Sequence, residues 1–362
     1  AAAPSQVCPS GGSRAAAAAG PWGSYLCDAP WLFPVSFYNP GPDLDDTPHV
    51  PNEQLGEKQV LHIIENLTSL IKQIFPGAFY SEKLPSPNTR GRMIVLNTNL
   101  YYDQNNQTAG EEDPGGQFQW LEETLTNASK AEEMVYIAGH IPPGFFEKKR
   151  SKPWFQSNFN ERYLKIVQKH HRVIAAQFFG HHHTDSFRMF YGDTGSPVNV
   201  MFLAPGVTPW KTTLPGVANG ANNPGIRVIE YDPDTLQVKD MVTYYLNLTH
   251  ANMMSPIWEK EYRLTEAFQV PDGSAQSMQT VLERISKDAQ YLQQYYEFNS
   301  VKYDLTLCEE ACRIDHVCAI REVDFIRYNE CIKASSSASA ISSVFLLLVC
   351  LLLALLRPQQ AL

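Results

Sequence analysis

The sequence predicts an α/β layered domain followed by a small disulfide-bonded helical C-terminal subdomain. Three observations carry this. Short apolar runs bounded by turn residues alternate with segments of helical periodicity through the middle of the chain. After about Thr265 the pattern is helical alone. Four of the seven cysteines then crowd into the stretch from Cys308 to Cys331.

The elements follow in order. Residues 1–50 are rich in Ala, Pro and Gly with little periodicity, and form an N-terminal segment holding Cys8 and Cys27. From Glu53 to Phe75, Leu55, Val60, Ile63, Ile64, Leu67, Leu70, Ile71 and Ile74 recur at three- and four-residue steps, which predicts a helix. The runs Met93–Leu96, Met134–Ala138, Val173–Phe179, Val200–Ala204 and Ile226–Tyr231 read as buried strands. Helices over Gln117–Lys130 and Tyr163–His170 fall between them, so residues 51–265 read as one α/β domain. Ser277 to Tyr296 has the spacing of one helix through Met278, Val281, Leu282, Ile285 and Leu292. Residues 266–333 therefore read as a helical subdomain, pinned by Cys308–Cys312 and Cys318–Cys331 if nearest neighbours pair.

At 362 residues the chain is long enough for a large domain and an appendage, and 44% hydrophobic with 19% charged residues is ordinary for a globular protein. A net charge of −9 with no basic stripe excludes a nucleic-acid polymer as partner. The run Glu147-Lys148-Lys149-Arg150 reads as a solvated loop. Cys8, Cys27, Cys308, Cys312, Cys318 and Cys331 form two even-numbered groups, which read as disulfides made in an oxidising compartment. A structural zinc site is the alternative for the second group, but paired Cys-x-x-Cys knuckles are missing. Four glycosylation sequons, at Asn66, Asn106, Asn127 and Asn247, agree with the secretory route and an extracellular or cell-surface location. The opening Ala1-Ala2-Ala3-Pro4 has neither Met nor an apolar run, so a cleaved leader or an incomplete chain is expected. Residues 334–362 couple a Ser/Ala segment to the apolar run Val344–Leu356, shorter than the ~20 residues of a membrane span. These are the elements of a GPI-anchor signal, with a short tail anchor as the alternative.

The chemistry concentrates in two motifs of one form. Strand Val173–Phe179 leads into Gly180-His181-His182-His183, and strand Met134–Ala138 leads into Gly139-His140-Ile141-Pro142-Pro143-Gly144. In each, glycine lets the backbone turn at the strand's C-terminal edge, where open α/β sheets place their active sites. Histidines delivered there suit Zn²⁺, Fe or Mn²⁺. A third element is Asp45-Asp46-Thr47-Pro48-His49, in which a carboxylate can bridge two metals and His49 can protonate a leaving oxygen. His62, His170, His171, His250 and His316 are isolated or flanked by charge and read as local structure.

Together these motifs resemble the calcineurin-type metallophosphoesterases. Within them, Leu96-Asn97-Thr98-Asn99, the stretch from Asp113 to Leu121, and Thr208-Pro209-Trp210 resemble the acid sphingomyelinase family. The resemblance runs from about Cys8 to Cys331 with interruptions. It implies a layered β-sandwich flanked by helices and a two-zinc centre that activates water for in-line attack on a phosphoester. Its substrates would be sphingomyelin-type lipid head groups or nucleotides. On this reading Asp45 bridges the metals, His140 and His181 hold one, His183 holds the other, and His49 lies near the leaving group. Asn222 and Asn223 are placed at the cleft with no role assigned. Two family features are absent: no Asp-x-His and no Asn-His-Asp occurs anywhere, and Leu44 stands where a glycine is expected before Asp45. One site thus keeps three protein ligands and the other two, so at most one firmly held zinc is expected. Two functions remain open: a zinc-dependent phosphodiesterase at the exoplasmic surface, and a catalytically impaired membrane-anchored binding or regulatory protein. An incomplete or spliced product would lack the same segments.

Overall fold

A strand whose alternate residues are apolar on both sides must be covered on both faces, and that sets this architecture. The computed structural model describes residues 78–84, 89–212, 214–217 and 220–337. Cys8, Cys27, Asp45, His49, Asn66, the helix expected over Glu53–Phe75 and the apolar tail lie outside the described residues.

Six strands form the main sheet: β1 (Tyr80–Lys83), β2 (Gly91–Val95), β3 (Met134–Ala138), β4 (Ile174–Phe179), β5 (Ser186–Tyr191) and β6 (Pro197–Leu203). Their order is β1-β2-β3-β4-β6-β5. The inner four run parallel, and the edge strands β1 and β5 pair antiparallel to their neighbours. Parallel neighbours require crossovers. Helix α1 (Gln117–Lys130) joins β2 to β3, and α2 (Ser157–His170) joins β3 to β4. Next comes a small hairpin of β7 (Trp210–Lys211) and β8 (Ala221–Asn222). A three-stranded antiparallel sheet follows, made of β9 (Gly225–Tyr231), β10 (Val238–Leu246) and β11 (Trp258–Arg263) in the order β11-β10-β9. The helices that remain are α3 (Leu248–Met253), α4 (Leu264–Phe268), α5 (Ala275–Lys287), α6 (Ala289–Asn299), α7 (Glu310–Arg321) and one over 325–337.

Alternation along the strands divides the core in two. Val135, Ile137, Met201 and Leu203 face α1 and α2 and pack with Phe118, Leu121, Leu125, Phe159 and Tyr163. Tyr136, Ala176, Val200 and Phe202 point the other way, toward Met241 and Tyr262 of the second sheet and toward α5 and α7. Val281, Leu282 and Ile285 of α5 are fully buried on that face, each contributing roughly 1.5–3 kcal/mol. The helices of 266–333 therefore share their core with the main sheet.

Cys308–Cys312 and Cys318–Cys331 are bonded, the nearest-neighbour pairing. The single helix expected from Ser277 to Tyr296 is two. Asp288 leaves helical conformation and its side chain accepts hydrogen bonds from the backbone N–H of Gln290 and Tyr291, ending α5 and capping α6. Helix α2 starts at Ser157 rather than Tyr163, because Phe159 and Asn160 already bury on its inner face. Among the described residues no helix is long and apolar enough to cross a membrane.

Candidate metal centre

Strands β3 and β4 are adjacent and parallel, so their C-terminal ends deliver His140 and the Gly180–His183 loop to the same edge. Gly139 is needed there: a Cβ would meet the Phe179 ring at 2.5 Å. The turn after β2 supports the same edge. Buried Gln117 accepts from Asn97 N at 2.7 Å and donates back to Asn97 O at 3.1 Å, and Thr98 Oγ1 accepts from Ile141 N at 2.8 Å. Asp113 caps α1 by accepting from Phe118 and Gln119 N–H, so the stretch from Asp113 to Leu121 is a helix start that places Gln117.

His140 Nε2 and His181 Nδ1 lie 3.3 Å apart with their rings nearly perpendicular. Two nitrogens on one tetrahedral zinc, each at 2.0–2.1 Å, sit about 3.3 Å apart. The pair therefore fits a shared ion. The ring of His181 is wedged against Trp154 at 4.3 Å and Tyr102 at 5.7 Å between centroids. Its buried Nε2 has no hydrogen-bond partner among the described residues. Burial, and then His140 beside it, holds His181 well below the ordinary imidazole value, so the ring is neutral and carries a lone pair for a metal.

His183 is buried and stacks on Trp210 with centroids 4.6 Å apart. A Cβ on Gly206 would meet its Nδ1 at 2.7 Å, so that glycine makes room for the ring. Trp210 pairs with Asn222 across β7 and β8, which brings Asn222 to this wall, and Asn222 Oδ1 accepts from Lys148 Nζ at 3.3 Å. Among the described residues no three His, Cys, Asp or Glu side chains come together as a metal-binding group. Asp45 and His49, the expected third ligand and proton donor, fall outside them.

His181 and His183 both take left-handed backbone conformations, with φ of 65° and 54°. For residues other than glycine this costs roughly 1–2 kcal/mol each. Bonded to the residues between and after them is a side chain that was not visible in the sequence as part of the site. It is Glu147, read there as part of a solvated charged run but 1% exposed, with Arg188, itself 0% exposed, against it. Burial pushes the Glu147 carboxyl up, but Arg188 and then His182 more than reverse this and hold it well below the usual carboxylate range. Burial keeps His182 neutral even beside Glu147. The signal that could have found this pair is the apolar Phe145-Phe146 before Glu147, which draws the start of the run inward.

Residues 196–338 match the family model for the acid sphingomyelin phosphodiesterase C-terminal region. The acid sphingomyelinase-like phosphodiesterase 3b of Mus musculus is 55% identical, over 91% of this chain and 85% of that protein. The protein of the same name from Homo sapiens is 53% identical over 96% and 90%. The chain belongs to the acid sphingomyelinase-like phosphodiesterase family. By family it is a phosphoric diester hydrolase. A cyclic GMP-AMP phosphodiesterase of Homo sapiens is 34% identical over 91% of this chain and 85% of its own length. The alignment with the mouse family member spans 389 positions but only 91% of the 362 residues here, about 329, so about 60 positions of that relative face a gap.

Proposed function

We propose that the chain holds one zinc between His140 and His181, with Asp45 as third ligand, and hydrolyses phosphodiesters weakly at the exoplasmic surface. The observation that carries this is the 3.3 Å convergence of the His140 and His181 ring nitrogens at the C-terminal ends of adjacent parallel strands. When bound, zinc supplies Lewis acidity toward a phosphoryl group. His140 and His181 present their lone pairs to it, while Trp154 and Tyr102 fix the His181 ring and exclude water from its flank. His183, stacked on Trp210, comes from the same loop as His181, and His49 is assigned the proton for the leaving oxygen. The named activities of the relatives support sphingomyelin-type lipid head groups or nucleotides as the substrate class. Asn106 and Asn127 are exposed, as glycan carriers must be. Asn247 accepts from His250 N through its Oδ1, which leaves the amide nitrogen for a sugar.

A second reading, a catalytically impaired anchored binding protein, is favoured by the gap of about 60 positions together with the missing Asp-x-His and Asn-His-Asp motifs. Metal analysis and turnover of a simple aryl phosphodiester separate the two. The expected result is at most one zinc per chain and turnover at least tenfold below that of a chain carrying the missing segments. His140→Ala and His181→Ala remove both zinc and residual turnover, and His183→Ala does less. Two zincs per folded chain, or turnover equal to the longer form, overturns the ligand assignment. Anchoring is tested separately: phosphatidylinositol-specific phospholipase C should release the protein from cells, and an intact Leu362 on the resistant protein would establish a tail anchor instead.

A further inference from the structure

The carboxylate of Glu147 is a hub that the proposed chemistry does not use. It lies seven residues beyond His140 in the chain and beneath the other histidine loop. Its Oε2 accepts from His182 Nδ1 at 3.1 Å and from Arg188 Nη2 at 2.5 Å. Its Oε1 accepts from Thr184 Oγ1 at 2.5 Å and from Asn299 Nδ2 at 2.9 Å. Glu147, His182, Thr184, Arg188 and Asn299 are all buried. A carboxylate filled by four donors in a dry site has one geometry, because each lost bond leaves a buried polar atom unpaired.

A counterion for Arg188 would need only one of those oxygens. The remaining bonds go to residues 182 and 184, the two chain neighbours of His183, and residue 182 is also the neighbour of His181. Both outer histidines are the ones in strained backbone conformations. The His182 ring is further packed between Phe146 and Trp154. The fourth bond comes from Asn299 at the end of α6, in the C-terminal helical region, and Asn299 also donates to Asp185 O at 3.1 Å. A parallel tie reaches the His140 loop: Asn160 accepts from Gly144 N at 2.8 Å and donates to Val323 O at 3.0 Å.

We infer that Glu147 is a positioning residue for His181 and His183, acting through His182 and Thr184, and that Asn299 makes the C-terminal helical region part of the same support. For metal binding the inference rests on the proposed role of His140 and His181; for the loop it stands on the geometry alone. Residues supporting metal ligands in this way typically change metal affinity 10–100-fold when removed.

The test uses the full secreted chain with His182→Ala, His182→Asn and Asn299→Ala, all of which keep the Glu147–Arg188 pair. Asn places an amide N–H close to where imidazole Nδ1–H stood. Two readouts are taken on each: Co²⁺ affinity from its visible absorbance, and hydrogen exchange of the amides of residues 181–184. Support is a loss of about tenfold or more in Co²⁺ affinity for His182→Ala, recovery to within about threefold in His182→Asn, and loop exchange that quickens in the first and in Asn299→Ala but not in the second. Wild-type Co²⁺ affinity with unchanged exchange in His182→Ala overturns the inference. If the wild-type chain binds no Co²⁺, the metal reading fails and the exchange data alone decide the positioning role. If His182→Ala does not fold, Asn299→Ala, which removes one bond of the four, decides it.

Discussion

Two loops deliver histidine to the same edge of the same sheet, and they are built by opposite means. The His140 loop turns on its own sequence. Gly139, Pro142 and Pro143 set the path, and Gly144 takes φ +85°, a conformation in which glycine carries little strain. The His181–His183 loop has one glycine and then places two histidines in left-handed conformations, held from outside by a buried carboxylate. One turn is written locally, the other is imposed by tertiary structure. A locally written turn survives damage elsewhere, whereas an imposed one fails with its clamp.

The comparison breaks most sharply at the clamp. Glu147→Ala strands the Arg188 guanidinium in a dry core, and removing one partner of a buried ion pair costs about 3–5 kcal/mol. Urea unfolding at neutral pH should register that loss; a change below about 1 kcal/mol would show that Arg188 finds water and that the clamp is weak. A smaller effect is expected from acid. Burial, opposed by Glu147, lowers His316 from the ordinary 6.5 to about 4. Glu147, Lys148 and Arg188 are the charges that act on it, and its Nδ1 lies 3.4 Å from Tyr295 Oη. Between those pH values the unfolded chain binds more protons than the folded one, so stability rises with pH. It is intact above 6.5 and lost as pH falls toward 4. Thermal unfolding across that range should show the decline, and His316→Gln should flatten it. The smallest effect belongs to the local turn. Gly144→Ala forces a side chain into φ +85° with its Cβ 3.3 Å from Val323, for roughly 1–2 kcal/mol. Exchange should then quicken in the His140 loop and leave residues 181–184 unchanged, and equal loosening of both loops would erase the distinction.

The same contrast explains what could be read from the chain. Helix α1 and strand β3 fall on Gln117–Lys130 and Met134–Ala138 as their periodicity indicates, and β4 differs by one residue at its start. Gly-His at two strand ends was enough to bring His140 and His181 together. Strand β5 was missed because Arg188 interrupts an otherwise apolar run, and only its partner Glu147, 41 residues away, makes that position tolerable. Strand β11 carries Glu259, Lys260, Glu261 and Arg263 and reads as a charged loop until β10 pairs with it. The break at Asp288 was legible as a cap, since Asp before a new helical run is a start signal. Periodicity alone carried the helix through it. The clamp itself depends on residues drawn from a strand-end loop, a neighbouring strand and a distant helix, and no local window contains that information.

The shared core also dictates an order of manufacture. A ribosome releases the main sheet first, with Met189, Val200 and Phe202 on a face that α5 and α7 will cover. Until α5 and α7 have emerged, that apolar surface is not fully covered, and until α6 is complete Asn299 cannot reach the carboxylate beneath the histidine loop. Of the two disulfides, Cys308–Cys312 has both partners once residue 312 is out, and Cys318–Cys331 closes later still, when Cys331 arrives. A nascent chain stopped after residue 265 would present an oily sheet face to whatever is nearby. A mutation that terminates synthesis before α5 therefore removes both the cover and a prop of the histidine loop, and its product is a substrate for chaperones and proteases.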